Sequence, residues 1–326
     1  MPSIAPYDLG EFVERAVFLD DAPLFALADG TVHMPLSGAG SVLTAHDGGL
    51  LTASLDRFAN RLLTGGEDGK VMAIDGQGRV TEIASIGRKW VSTVAGGPND
   101  VVGFGSGRTA YTRMTDGTVR EEVFSRTVEG IAFAPKGLRA AVARYDGASL
   151  YFPATDAEPI FMEWKGAHIG VTFSPDGRFL VTTMQENALH GWRLSDGKHM
   201  RMTGYPAKVK DWSWSAKNRF LATSGAPAAI LWPFSGKDGP MGKAPLELGT
   251  RGDTMVTSVA CHPAEDMLAI GYQDGMILAV RFQDSKEALL RRGGTAPVRT
   301  LAWDKAGRRL AFGSEAGEAG LVDIAG

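Results

Sequence analysis

The 326-residue chain contains one cysteine, Cys261, so no intrachain disulfide can hold it together. That usage fits a reducing compartment, and a cytoplasmic protein is expected. No apolar run approaches the ~20 residues with which a helix spans a bilayer, so no membrane segment is expected. The opening "MPSIAPYDLGEF" has no basic flank ahead of an apolar core and does not read as a signal peptide. Charge of one sign is lacking too: 34 Lys and Arg stand against 37 Asp and Glu, a formal net charge of −3. No strong field pulls such a chain toward nucleic acid. The six histidines, His33, His46, His168, His190, His199 and His262, include no closely spaced pair of the zinc-binding kind. No G-x-S-x-G nucleophile turn occurs. The expectation is therefore no catalytic residue, no metal and no cofactor.

Glycine, in contrast, is abundant at 42 residues, and much of it falls in a repeated turn. "LLTGGEDGKVMAID", residues 62–75, runs from an apolar strand through the tight Asp68-Gly69 turn into an alternating strand. The same turn recurs at Asp29-Gly30, Asp146-Gly147 and Asp274-Gly275, with weaker members at Ser106-Gly107, Glu186-Asn187, Ala226-Pro227 and Ala316-Gly317. Its second position falls at 30, 69, 107, 147, 187, 227, 275 and 317, a period near 40 residues. About ten residues upstream of it sits a second turn, clearest in "FSPDGRFL" (173–180), with counterparts "FAPKGLRA", "WSAKNRFL", "CHPAEDML" and "WDKAGRRL". Apolar strands such as "VERAVF", "VKDWSW", "VTSVAC" and "VRTLAW" precede these turns. Each unit thus reads strand, turn, strand, Asp-Gly turn, strand, and most units add a fourth strand, as in "RVTEIASI".

Four short antiparallel strands at this period resemble the WD-repeat β-propeller family, over nearly the whole chain. Trp192 and Trp232 stand at the family's tryptophan position, and Asp75 and Asp323 at its aspartate position. No unit holds both. His46 and His168 are remnants of the glycine-histidine step before the first strand. The chain looks like a divergent, stand-alone member of bacterial type. The resemblance implies an Asp68, Thr64 and His46 network in the second blade, left incomplete because Ile74 holds the tryptophan position.

First strands begin near 13, 50, 90, 128, 168, 208, 255 and 298, which predicts eight blades, with seven as the alternative. One propeller domain over 1–326 is expected. The last unit has three strands, so residues 1–10 are predicted to supply its outer strand and close the ring. "SGKDGPMGKAP", residues 235–245, reads as a surface-loop insertion. Small residues at Ser54, Ala132, Thr172, Ser213, Ala260 and Ala302 suit first strands converging on an axis.

Several chemistry-like motifs have structural readings. Cys261-His262 falls where other units carry a core aromatic and a turn residue. "GFGSGR" (103–108) precedes a strand and not a helix, so it cannot place a phosphate at a helix N-terminus. Arg251-Gly252-Asp253 is read as a chance tripeptide. Charges assigned to the loop face are mixed in sign, against the many phosphate contacts that nucleic-acid binding needs.

The resemblance implies a non-catalytic scaffold that binds a protein or peptide through loops on a rigid face. A separately encoded enzyme or GTPase is the partner class that analogy suggests. The residues nominated for that face are Arg88, Lys89, Trp90, Arg126, Trp164, Lys165, Lys208, Lys210, Arg251 and Arg299. Arg and aromatics are the types enriched at binding hot spots. The alternative is a propeller enzyme or small-ligand binder with its site at the axial channel mouth.

Overall fold

A computed structural model describes residues 2–35 and 40–324. In chain order the strands are β1 Ser3–Asp8, β2 Val13–Leu19, β3 Ala22–Leu27, β4 Thr31–Met34 and β5 Ser41–Thr44. Next come β6 Leu50–Asp56, β7 Arg61–Gly66, β8 Lys70–Ile74 and β9 Val80–Ser85, then β10 Thr93–Gly96, β11 Val102–Ser106, β12 Thr109–Arg113 and β13 Val119–Val123. The middle of the chain forms β14 Gly130–Phe133, β15 Ala140–Tyr151, β16 Ile160–Phe173, β17 Phe179–Met184, β18 Ala188–Arg193 and β19 His199–Met202. The remainder is β20 Trp212–Trp214, β21 Phe220–Thr223, β22 Ala229–Pro233 and β23 Leu246–Leu248, then β24 Val256–Cys261, β25 Met267–Tyr272, β26 Ile277–Arg281 and β27 Glu287–Arg291, and finally β28 Val298–Trp303, β29 Arg309–Ser314 and β30 Glu318–Asp323. Consecutive strands pair antiparallel within blades, giving an all-β propeller of four-stranded antiparallel blades.

The expected count of eight separate blades is corrected to the alternative. Among the described residues the strands form seven sheets, six four-stranded and one six-stranded. The difference lies in the fourth and fifth repeat units. Strand β15 pairs with β14 through Ala140–Ala143 and with β16 through Gly147–Leu150. Strand β16 continues from the fourth unit into the fifth, pairing first with β15 and then, from His168 to Phe173, with β17. Elsewhere a loop such as 86–92 separates one unit from the next, whereas here residues 164–167 stay in strand conformation. The two units therefore share one continuous sheet.

Contacts group into two compact units, the first made of Met1–Ala28, Val32–Val42 and Tyr205–Gly326, the second of Asp29–Thr31 and Leu43–Gly204. In the first unit, β1 joins the last blade as expected, pairing antiparallel with β30 over six residues from Ser3↔Asp323 to Asp8↔Glu318. The insertion 235–245 is a loop between β22 and β23, tied by Lys243 Nζ donating to Ser235 O at 2.6 Å.

The packing rule repeats with the sequence. Val13, Val91, Val128, Val209, Val256 and Val298, at the entry to their units' first strands, are all at most 2 % exposed. Four of them, Val13, Val91, Val128 and Val298, pack over a glycine on the second strand of the preceding blade. A Cβ on Gly65 would lie 2.5 Å from Val91 Cγ1; on Gly271, 2.6 Å from Val298 Cγ1; on Gly313, 2.4 Å from Val13 Cγ1. Burying one such valine side chain contributes roughly 1.5–3 kcal/mol. The same rule explains "GFGSGR". Gly103 and Gly105 lie on β11, where a Cβ would come 2.7 Å from Ile131 Cδ1 and 3.0 Å from Val128 Cγ1 respectively. Those glycines permit close blade packing.

Two outcomes are expected. Removing residues 1–10 strips the ladder from β30 and lowers the melting temperature by at least about 5 °C, at ~2–4 °C per kcal/mol for a chain of this size; an unchanged melting curve would show that β1 adds no stability. Gly69 has φ +76°, and its Cβ would lie 1.8 Å from Gly87 O. Gly69→Val is therefore expected to cost at least about 2 kcal/mol in denaturant unfolding, and full tolerance contradicts the tight approach of this turn to the next loop.

Candidate functional site

Within the second unit, one set of backbone hydrogen bonds fixes the loops beside the β-turns. Ile86 N donates to Gly69 O at 3.0 Å and Val91 N to Gly66 O at 3.1 Å, which pins loop 86–92 against the turn joining β7 and β8. One blade on, Phe124 N donates to Arg108 O at 2.8 Å and Val128 N to Gly107 O at 2.8 Å. In the fourth unit Gly166 N donates to Asp146 Oδ1 at 3.5 Å. Linking loop and hairpin turn thus share one end of each blade.

The expected network of the second blade is present. His46 Nδ1–H donates to Asp68 Oδ1 at 3.0 Å, and His46 Nε2 accepts from the Thr64 hydroxyl at 2.8 Å. Burial alone would raise the Asp68 carboxyl, but bonds from His46 and from the Lys70 and Asp47 amides outweigh it and hold its pKa below the usual value. Ile74, at the tryptophan position, is fully buried. The first unit holds a variant that the sequence did not disclose. Trp232 Nε1–H donates to Tyr205 OH at 2.6 Å, and Tyr205 OH lies 2.6 Å from Thr223 Oγ1. A tyrosine here does the work of the histidine, and burial pushes its phenol up to about 12.

In the fifth unit His168 Nε2–H donates to Trp164 O at 2.9 Å and Nδ1 meets the Thr182 hydroxyl at 2.7 Å. Beside it, His190 stacks on Trp164 with ring centroids 4.0 Å apart and interplanar angle 15°, and meets Trp192 edge-on at 4.7 Å. His190 is fully buried, and neither ring nitrogen has a hydrogen-bond partner among the described residues. Burial, aided by His168, His199 and Arg201, pulls its pKa down to about 3. It is a neutral aromatic spacer. Cys261, half-buried beside Ser213, has its thiol pushed up to about 12 by desolvation, and His262 bridges Gly307 O at 3.0 Å and the Ala264 and Glu265 amides. Both play packing and turn roles.

The nominated residues divide between the units. Arg88, Lys89 and Trp90 lie together, all exposed, in the loop between β9 and β10, with Trp90 61 % accessible. A cavity of about 270 Å³ opens beside Lys89, floored by the stacked rings of Phe104 and Tyr111 (5.1 Å) and edged by Val119 and Glu121. Arg126 is exposed between β13 and β14, with its guanidinium 5.7 Å from the Tyr145 ring. Trp164 and Lys165 are on β16; the lysine is exposed, whereas the tryptophan is held in the histidine stack. In the first unit, Lys208 and Lys210 precede β20. Arg251 there is paired with Glu287 at 2.6 Å and Arg299 with Glu14 at 2.7 Å. Arg144, Tyr145 and Phe161, which join Arg126, escaped the sequence reading. Their only signal was the aromatic flanking the fourth unit's turn.

The described residues contain no group of three His, Cys, Asp or Glu side chains placed to hold a metal, and no helix long and apolar enough to cross a membrane. Comparison with known proteins is consistent with this architecture. The WD40 domain model of anaphase-promoting complex subunit 4 matches residues 259–326. WD repeat-containing protein 55 of Pongo abelii is 25 % identical over 217 residues, covering 64 % of this chain and 55 % of that protein. The Rattus norvegicus protein of the same name is 24 % identical over 216 residues, covering 64 % and 54 %. The chain thus spans about half the length of the curated relatives it matches. A crystal structure of the computationally designed Ika8 protein superposes over 97 % of this chain and 98 % of that one, with TM-score 0.78 and 16 % identity, a likeness of fold alone. These matches and the β-propeller fold support the WD-repeat β-propeller family.

The histidine stack generates a prediction. The His190 pKa is lower folded (about 3) than its ordinary 6.5, so the unfolded chain binds the extra proton. Its contribution is complete above pH 6.5 and is lost progressively as pH falls toward 3. His190→Phe keeps the stack and removes two unpaired buried nitrogens. Stability at pH 7 is expected to hold or to rise by up to about 2 kcal/mol, and the loss of stability between pH 6.5 and 4 should be shallower. Chemical denaturation across pH measures both, and a variant with an unchanged acid limb contradicts the assignment.

Proposed function

We propose that the chain is a non-catalytic platform that binds a protein or peptide through the loop between β9 and β10. One observation carries this reading: Trp90 is 61 % exposed, while Trp192 and Trp232 are buried in their blades. Leaving so large an apolar surface in water is unfavourable, and Trp and Arg are the side chain types enriched at binding hot spots. Arg88 and Lys89 flank it, with no carboxylate partner among the described residues. The cavity beside Lys89 offers a recess of mixed character, with Phe104 and Tyr111 at its base and Ser85 and Glu121 in its wall. Val91, fully buried, fixes the loop's far end, so the anchor is displayed at little ordering cost.

Support also comes from the class. WD40 propellers generally mediate protein–protein contacts, and the matched family model is named for a subunit of a complex. On this reading a separately encoded protein, of the enzyme or GTPase kind, is the partner, and the cytoplasm is where they meet.

The test is affinity capture by tagged protein from a lysate of the source organism, with Arg88→Ala/Lys89→Ala/Trp90→Ala in parallel. The triple variant should retain its melting temperature, because all three side chains are exposed. At ~2 kcal/mol or more for a hot-spot anchor, its enrichment of the partner should fall at least about tenfold. Equal enrichment by both proteins moves the site off this loop.

A further inference from the structure

We propose that Arg126, Arg144, Tyr145 and Phe161 form a second contact patch, which binds an acidic, carboxylate-bearing segment of a protein partner. The inference rests on the platform reading and adds the partner's chemistry. The four residues meet around the irregularity of β15 between Tyr145 and Gly147. Arg126 places its guanidinium 5.7 Å from the centre of the Tyr145 ring, and Arg144 lies 3.9 Å from that of Phe161. Arg144 Nη1 donates to Ser125 Oγ at 3.3 Å and Nε to Ser149 Oγ at 2.9 Å. Ser125 adjoins Arg126 in the chain, so the two guanidiniums share one site.

Neither guanidinium has a carboxylate within ion-pair distance among the described residues, whereas Arg61, Arg113, Arg193, Arg251, Arg291 and Arg299 all do. Burial disfavours the Arg144 charge, and the Arg126 charge disfavours it further. Asp146, the nearest acid, offsets part of this, but its Oδ1 faces the Gly166 amide. The patch thus holds excess positive charge, placed by rings and hydroxyls in fixed orientation, and a planar carboxylate is the bidentate complement of a guanidinium.

Its surroundings choose the source of the anion. Tyr145 (47 %) and Phe161 (42 %), the rings against which the arginines lie, are themselves exposed, an apolar bed for side chains flanking the acid. Glu129 and Glu163 are exposed nearby on β14's approach and on β16, and would repel a long polyanion. One or two carboxylates among apolar residues fit these neighbours better than a nucleic-acid strand.

The patch is tested on arrayed degenerate nonapeptide pools with centres fixed as Glu-Glu, Lys-Lys or phosphoserine, and with a thymidine oligonucleotide alongside. The wild-type protein is expected to bind the Glu-Glu pool at least tenfold better than the Lys-Lys pool. Arg126→Glu and Arg144→Gln should each cut that signal about tenfold at unchanged melting temperature. Arg126 is exposed, so its variant serves even if Arg144→Gln fails to fold. No preference for Glu-Glu, a preference retained by Arg126→Glu, or stronger binding to phosphoserine or to the oligonucleotide each overturns the proposal. Lysate capture separates the two readings. A partner lost with the Arg88/Lys89/Trp90 variant but kept by Arg126→Glu removes this patch and leaves the platform; a partner kept by the triple variant and lost with Arg126→Glu does the reverse.

Discussion

The contact on which the blades depend is a valine set over a glycine. Val91 over Gly65, Val298 over Gly271 and Val13 over Gly313 are copies of one arrangement, each with less than 3 Å between the valine methyl and a would-be Cβ. A blade alone has one polar edge and two apolar faces, too little to bury on its own. The missing side chain lets the neighbouring sheet approach far enough to exclude water. Because the contact sits where a first strand enters its blade, it also sets where each linking loop begins. Loop positions are therefore a by-product of core packing. That is how a chain with almost no net charge and one cysteine can present functional side chains in defined places.

Much of this was legible in the sequence, because it depends on backbone needs that few residues meet. The Asp-Gly turns mark positions of positive φ, such as Gly69 at +76° and Gly275 at +80°, and their spacing exposed the repeat. The His46–Thr64–Asp68 network followed from residue types at set offsets. The fusion of the fourth and fifth units was not legible. Periodicity reports turns, and residues 164–167 contain Gly166, which reads as a loop while remaining in a strand. Tyr205 was missed for another reason: its hydroxyl meets Thr223 and Trp232 from a position where a histidine was sought. The cation–aromatic patch was invisible because Arg144 and Phe161 are 17 positions apart and meet only across paired strands.

Buried polar groups follow two regimes here. Where a partner is available, as for His46, His168 and Tyr205, the polar group joins a closed chain of bonds and orders the turn. Where none is, as for His190, the ring is kept neutral and used for its flat face. Trp164 belongs to the second regime. Its nomination as a contact residue came from its place near a linking segment, and its stacking against His190 and His199 shows how position along a repeat and availability to a partner can differ.

The pairing of β1 with β30 has a consequence in time. Asp8 and its partner Glu318 are 310 positions apart (318 − 8). At ~5–20 residues per second of synthesis, β1 leaves the ribosome on the order of 15–60 s before its partner exists. Throughout that interval it is a strand with both edges open. Five of its six residues, all but Tyr7, are exposed even in the finished blade, and Pro6 removes one amide from the ladder. A waiting strand interrupted by proline is a weak template for other chains. The final sheet is thus assembled from strands made far apart in time, and the proline in β1 suits that strand to remaining single until β30 is made.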